Sequence, residues 1–413
     1  MKPLSKLCSL GVALLAASRI GGVASLASTS QVASTWWTSW HASDFPVSKL
    51  SWSKYNRVIY AFAETTSDVH TLDLGDSGKK LLTELVSAAH AHGVQVAVSV
   101  GGWTGSRYYS TAVASPANRT AFVKTVTTLA TTYHLDGIDF DWEYPANQGI
   151  GCNTISRNDT SNFLAFLQLL RKDPIGKNLT LSAATGIGPF YNAKGEQSRN
   201  IKGFAEVLDY IEVMNYDIWG SWSESVGPNS PLNDTCAPPE DQQGSAVSAV
   251  QAWTAAGMPR NQIVLGVAAY GHSFRVAKSD AIVDGKMAAY PPFNASDPPT
   301  GDAWDDAAGT DECGNYNGPG GLIDFWGLMK FGYLTSKGDA AEGISYRYDG
   351  CTQTPYVYNA TTEVMVAFDN AQSFAAKGKF IKSAGLGGFA MWEAGGDSDD
   401  ILLNAVRSAA GYL

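Results

Sequence analysis

Asp136-Gly137-Ile138-Asp139-Phe140-Asp141-Trp142-Glu143-Tyr144-Pro145 crowds acids into an apolar, β-prone run. Side chains alternate across a strand, so Asp139, Asp141 and Glu143 share one face while Phe140 and Trp142 share the other. Asp136 has the opposite parity and is expected to be structural, a hydrogen-bonding group at the strand's start. Carboxylates at about 7 Å intervals along a low-dielectric interior push at least one pKa upward, and a carboxyl held protonated near neutrality can act as a general acid. Asp-x-Asp-x-Glu could also hold Mg²⁺ or Ca²⁺. Glu143 lies nearest the strand's C-terminal end, where parallel barrels carry their active sites.

Working outward, short β-branched and aromatic runs recur at 32–38, 57–63, 94–100, 135–142, 179–185, 210–216, 263–270 and 386–392. Amphipathic stretches separate them. One is 78–92, closed by Gly93; another is 116–132, where Ser115 can cap and Pro116 suits the first helical position. A third, 370–384, has a capping-box-like start at Asp369 and Gln372 and ends at Gly385. Near-continuous apolar strands alternating with helices specify an α/β protein, a (β/α)8 TIM barrel. A doubly wound open sheet is the alternative. The spacing breaks between the last two strands, which marks 272–356 as an α+β insertion between strand seven and the following helix. The barrel then comprises 28–271 and 357–413. No internal repeat or separate binding module is visible.

Lys2 and Lys6 precede an apolar run at 7–17, and Ser25-Leu26-Ala27 suits a cleavage site, so 1–27 reads as a secretory signal peptide although Arg19 interrupts it. The run is too short to span a bilayer. Export would remove Cys8 and leave Cys152, Cys236, Cys313 and Cys351 in an oxidising compartment, where two disulfides are expected. Proximity in the layout favours Cys152 with Cys236 and Cys313 with Cys351. Sequons at Asn118, Asn158, Asn178, Asn233, Asn294 and Asn359 fit a secreted glycoprotein, extracellular in location. The net charge of −10 argues against a nucleic-acid partner, since neutralising phosphates needs clustered Lys and Arg. No membrane partner is expected, and the expected state is a monomer. Twelve tryptophans suggest apolar ring surfaces as ligands.

The carboxylate strand resembles the D-x-x-D-x-D-x-E signature of glycoside hydrolase family 18 chitinases. Further matches follow in order: Tyr60-Ala61-Phe62-Ala63, Ser99-Val100-Gly101-Gly102-Trp103, Met214-Asn215-Tyr216-Asp217, Tyr270-Gly271 and Met391-Trp392-Glu393. The insertion resembles that of the larger-cleft members. The resemblance implies retaining hydrolysis of chitin and chitooligosaccharides in which the substrate's own acetamido group is the nucleophile, with no cofactor and no metal. It implies Glu143 as proton donor, Asp141 as the group orienting the acetamido N–H, and Asp139 as its proton-sharing partner. Tyr216 and Asp217 would bind the acetamido carbonyl, Met214 and Asn215 would stand beside them, and Trp392 would floor the scissile sugar. Trp103, Tyr144, Gly101, Gly102 and Thr104 would border the aglycone side. Trp36, Trp37, Trp40, Trp219 and Trp222 are candidates to extend the cleft. His272 departs from the Arg that many members carry after Tyr-Gly, which touches a polar contact on the rim. Two other functions fit the same barrel: a chitin-binding lectin, in which the catalytic Glu is replaced, and an endo-β-N-acetylglucosaminidase acting on N-glycan cores.

Overall fold

The computed structural model describes residues 31–412. The expected signal peptide and Cys8 lie outside them. Among the described residues, eight parallel strands close a barrel: β1 Val32–Thr38, β2 Arg57–Thr65, β3 Gln95–Gly101, β4 Gly137–Asp141, β5 Thr180–Thr185, β6 Tyr210–Val213, β7 Ile263–Ala268 and, last in the chain, β13 Gly388–Trp392. Closure comes from β1, which pairs with β2 on one side (Thr35 opposite Val58) and with β13 on the other (Thr35 opposite Met391). Helices α1 Gly78–Ala91, α2 Pro116–Tyr133, α3 Asp159–Lys172, α4 Ala246–Ala256, α5 Ala371–Ala384 and α6 Ile401–Ala410 belong to the outer layer. The architecture is the expected (β/α)8 barrel.

The local signals explain most boundaries. Ser115 accepts the Asn118 N–H at 3.1 Å with Pro116 at the first helical position, and Gly385 closes α5 in the left-handed conformation. The start of α5 differs from expectation. Asn370, not Asp369, is the cap, in a reciprocal box with Ser373. Asp369 is instead drawn inward by Lys377, whose cation a buried carboxylate must neutralise. Asp136 acts as expected at the mouth of β4, accepting the Val96 N–H at 2.8 Å and His90 Nε2 at 2.9 Å.

The main core fills the space between barrel and helices, where Phe122, Phe140, Phe163, Phe166 and Trp253 are buried. Each such side chain contributes about 1.5–3 kcal/mol relative to exposure. A smaller apolar cluster comprises Trp36, Ile59, Ala61, Ala97, Ala184, Val264 and Ala390.

After Ala268 the chain leaves the barrel and builds an antiparallel sheet from β8 Tyr270–Arg275, β9 Leu322–Asp324, β10 Ser345–Asp349, β11 Thr354–Asn359 and β12 Val364–Ala367, in the order β9-β8-β12-β11-β10. Its strands span 270–367, against an expected 272–356. Phe274, Tyr356, Tyr358 and Met365 form its own core. The disulfides are Cys152–Cys313 and Cys236–Cys351, not the expected pairs. The insertion folds back on the barrel's rim loops, so each of its cysteines meets a barrel cysteine instead of its neighbour in the chain.

Candidate active site

Parallel register decides which groups meet Asp139 inside the barrel. Ser99 of β3 and Ser182 of β5 lie opposite it, and both donate to its carboxylate, at 2.7 and 2.9 Å. Burial pushes the Asp139 pKa up, and those hydrogen bonds partly offset it. Asp141, two residues on, is almost fully buried, and its Oδ1 has no hydrogen-bond partner among the described residues. Its pKa is driven well above the usual carboxylate range by burial, then by the charges of Glu143, Asp139 and Glu212. Glu143 lies just beyond the end of β4 and is half-buried. Its pKa is pushed up to about 7, chiefly by burial and further by Asp217. The site therefore holds a carboxyl that is substantially protonated at neutrality beside a more deeply buried one.

Glu212 is a member of this group that the sequence reading missed. It is wholly buried on β6, accepts from Ser34 at 3.1 Å, and is held well above the usual range by burial and by Asp139. A Glu inside the apolar run Tyr210-Ile211-Glu212-Val213 was the available signal. Arg57, hydrogen-bonded to Tyr210, contributes an opposing positive charge.

A cavity of about 470 Å³ is lined by Trp40, Phe62, Trp103, Trp304 and Trp392 among its aromatics, with Thr104, Tyr270 and the acids Glu64, Asp305, Asp324 and Glu393 beside them. Its link to the carboxylate strand is Asp217, which lines it and raises the Glu143 pKa. Trp392 stacks near-parallel on Phe62, with ring centres 5.7 Å apart. Asp217 accepts from the Tyr270 hydroxyl and from His272 Nε2, each at 2.8 Å. That contact gives His272 a partner within the chain at the position where the family pattern has Arg. Tyr216 is buried, and that burial, reinforced by the carboxylates of Asp141, Asp217 and Glu143, pushes its hydroxyl pKa well above the usual value. Tyr144 lines a separate cavity of about 170 Å³ with Trp142, Pro189 and Gln197.

Other predicted positions sit differently. Gly101 and Gly102 are buried, and a Cβ on Gly101 would stand 2.1 Å from the Asp141 carbonyl oxygen, so this glycine lets the β3 loop close over the carboxylate strand. Asn215 is wholly buried and donates to the Pro231 carbonyl at 3.0 Å, which braces the segment carrying Tyr216 and Asp217. Met214 and Trp392 both pack against the cluster of Tyr216, Ala268 and Tyr270. Of the extra tryptophans, Trp40 is 53% exposed and lines the cavity, and Trp222 is 63% exposed and packs edge-on over His272. Trp36 and Trp37 are both buried, correcting their expected place in the cleft: parity turns Trp36 into the inner apolar cluster, while Trp37 lies in the main core and donates to the Phe45 carbonyl. Trp219 is also buried, tilted against Tyr290.

The model of the glycosyl hydrolases family 18 matches residues 33–397. A chitinase-like effector of Moniliophthora roreri is 52% identical over 384 residues, covering 92% of this chain and 93% of its own length. Chitinase 1 of Aphanocladium album is 27% identical over 391 residues, covering 87% and 80% respectively. The crystal structure of a chitinase from Rhizomucor miehei superposes with a TM-score of 0.83 at 30% identity, covering 92% of this chain and 100% of that one.

Proposed function

From the premise that this chain belongs to the glycosyl hydrolases of family 18, we propose that it hydrolyses β-1,4-N-acetylglucosaminide linkages in chitin and chitooligosaccharides. The observation that carries this reading is Glu143: a carboxyl held near pKa 7 at the mouth of the barrel, next to Asp141, whose own pKa is driven well above the usual range by burial and by the neighbouring carboxylates. Glu143 donates its proton to the glycosidic oxygen as the bond to the anomeric carbon breaks. The carbonyl oxygen of the substrate's 2-acetamido group attacks that carbon from the other face, giving an oxazolinium ion. Asp141 orients the acetamido N–H and balances the developing positive charge, with Asp139 and Glu212 taking up the redistributed proton. Tyr216, held as the neutral phenol, donates to the acetamido carbonyl beside Asp217. Glu143, now a carboxylate, activates the water that opens the ring and restores the anomeric configuration. Trp392 lies under the sugar, since indole packs on the apolar face of a pyranose. The cavity's aromatic lining supports a neutral polysaccharide as substrate, with no cofactor or metal in the chemistry proposed.

A second reading has a specific observation behind it. The Moniliophthora roreri relative is named a chitinase-like effector, which leaves open binding of chitin without turnover. The intact carboxylate group supports hydrolysis instead. An endo-β-N-acetylglucosaminidase would use the same carboxylates on another glycan. The run at 7–17 and the two bridges support export; the proposed state is a monomer with glycans on some sequons.

The test is turnover of chitotetraose and chitohexaose by residues 28–413, beside the Glu143→Gln variant. Hydrolysis that the variant loses by about 10²–10⁴ supports the assignment. Tight binding with no product from the unaltered chain would establish the lectin reading. Comparable rates on cellulose oligomers would remove the acetamido group from the mechanism.

A further inference from the structure

Glu143 stands past the last strand residue of β4, so the barrel's backbone ladder does not hold its main chain. Side chains from two loops hold it instead. Its N–H donates to Ser106 Oγ at 2.9 Å, and that hydroxyl donates in turn to the Asp141 carbonyl at 3.0 Å. Its carbonyl accepts Asn153 Nδ2 at 2.8 Å. The chain around this carbonyl is wrapped tightly, and a Cβ on Gly149 would lie 2.0 Å from it.

The segment that carries Asn153 is itself fixed. Gln148 Oε1 gathers the N–H groups of Gly149, Gly151 and Asn153 at 3.2, 3.3 and 3.1 Å. Thr154 N–H donates to the Arg107 carbonyl at 2.9 Å, tying this loop to the one that carries Ser106. Cys152, immediately before Asn153, is bridged to Cys313 of the insertion. Asn153 is buried, and its Oδ1 has no hydrogen-bond partner among the described residues. The bond it donates to Glu143 is a direct contact between the bridged loop and the main chain of the acid.

We propose that Ser106 and Asn153 are positioning residues for Glu143, and that the Cys152–Cys313 bridge acts through Asn153, so that the insertion aims the proton donor as well as bordering the cleft. The proposal rests on the reading of Glu143 as proton donor. A general acid works only within hydrogen-bond reach of the leaving oxygen, and a displacement of about 1 Å can cost on the order of 10² in rate. A main chain free of its ladder and clasped at both its N–H and its C=O transmits loop movement directly to the carboxyl. Binding of sugar rings on the aromatic floor involves neither contact.

The experiment compares Asn153→Ala, the paired Cys152→Ser/Cys313→Ser variant, their combination, and Cys236→Ser/Cys351→Ser as the control bridge, all in residues 28–413 with chitotetraose. The expected result is a fall in kcat of roughly 10-fold, within the cost of a sub-ångström misplacement, for Asn153→Ala and for loss of the first bridge, with KM changed less than about 2-fold. The combination should lose no more than either alone, as groups acting in one series do. Loss of the second bridge should leave kcat within about twofold. Multiplying losses, a change confined to KM, or an equal loss from the control bridge would overturn the proposal. Hydrogen exchange of the Glu143 amide gives a readout without turnover. It should speed up in Asn153→Ala and on loss of the first bridge, and stay unchanged on loss of the second. If the unaltered chain releases no product but exchange follows that pattern, the proton-donor reading fails and the clasp stands. Exchange indifferent to both changes sinks the clasp.

Discussion

Lys377 Nζ lies 2.5 Å from Asp369 Oδ1, with both side chains wholly inside the protein. Burial holds the Asp369 pKa up and the Lys377 pKa down, while each charge supports the other. Lys377 also donates to Ser230 Oγ at 2.8 Å, and Ser230 donates to the Asn215 carbonyl, one residue before Tyr216. The pair therefore underpins the segment that carries Tyr216 and Asp217. Lys377→Met strands a buried carboxylate and should cost about 3–5 kcal/mol, while Lys377→Met with Asp369→Leu should recover most of it. Guanidinium denaturation checks this. A single variant as stable as the parent would show that the pair contributes nothing.

The second expectation concerns pH and activity. On the proposed reading of Glu143 as proton donor, it must be protonated to begin the reaction, and its pKa stands at about 7. The kcat/KM of the free enzyme should therefore fall tenfold per pH unit above that value. A profile flat from pH 6 to 9 would exclude Glu143 as the acid.

The same shift has a stability consequence of definite sign. Between the ordinary value of 4.5 and about 7, the folded chain keeps a proton on Glu143 that the unfolded chain releases. Stability contributed by this group is thus present at low pH and lost as pH rises through that window. Glu143→Gln removes the charge altogether and should stabilise the protein above pH 7, by on the order of 1–2 kcal/mol, with little effect at pH 4. Equal melting curves for the two proteins at pH 8 would contradict the burial of that charge.

Trp103 is 50% exposed on the cavity's edge, free to present its face to a sugar. Trp103→Ala should lower kcat/KM on chitohexaose about tenfold, the scale of one aromatic contact with its buried area. On a dimer-based substrate the loss should be much smaller, since remote sugars supply binding energy only where they are present. Equal fractional losses on both substrates would assign Trp103 to loop packing.

Several of these features were legible in the chain because they are local. Period-two alternation placed Asp139 and Asp141 inside the barrel, and the opposite parity of Asp136 placed it outside, where it does bind backbone. Cap chemistry found the start of α2 and the last turn of α5. What escaped depended on partners distant in sequence. The α5 cap moved to Asn370 because Lys377 claims Asp369, a contact between side chains that no capping pattern encodes. Glu212 was overlooked because its meaning comes from Asp139, on a strand two places away in the barrel. Trp36 and Trp37 looked like cleft residues from their position at a strand end, yet neighbouring strands and helices enclose both. The bridge pairing failed for the same reason: proximity in sequence says nothing about an insertion that doubles back.

That doubling back leaves the bridges interleaved, with Cys236 lying between Cys152 and Cys313, and Cys313 between Cys236 and Cys351. A protease that cuts the chain once anywhere from 152 to 351 therefore never releases a piece, because at least one bridge spans every such cut. Nicked molecules would run as one band without reductant and as two with it. Two crossed ties make this long stretch, rim loops and insertion together, tolerant of a single break.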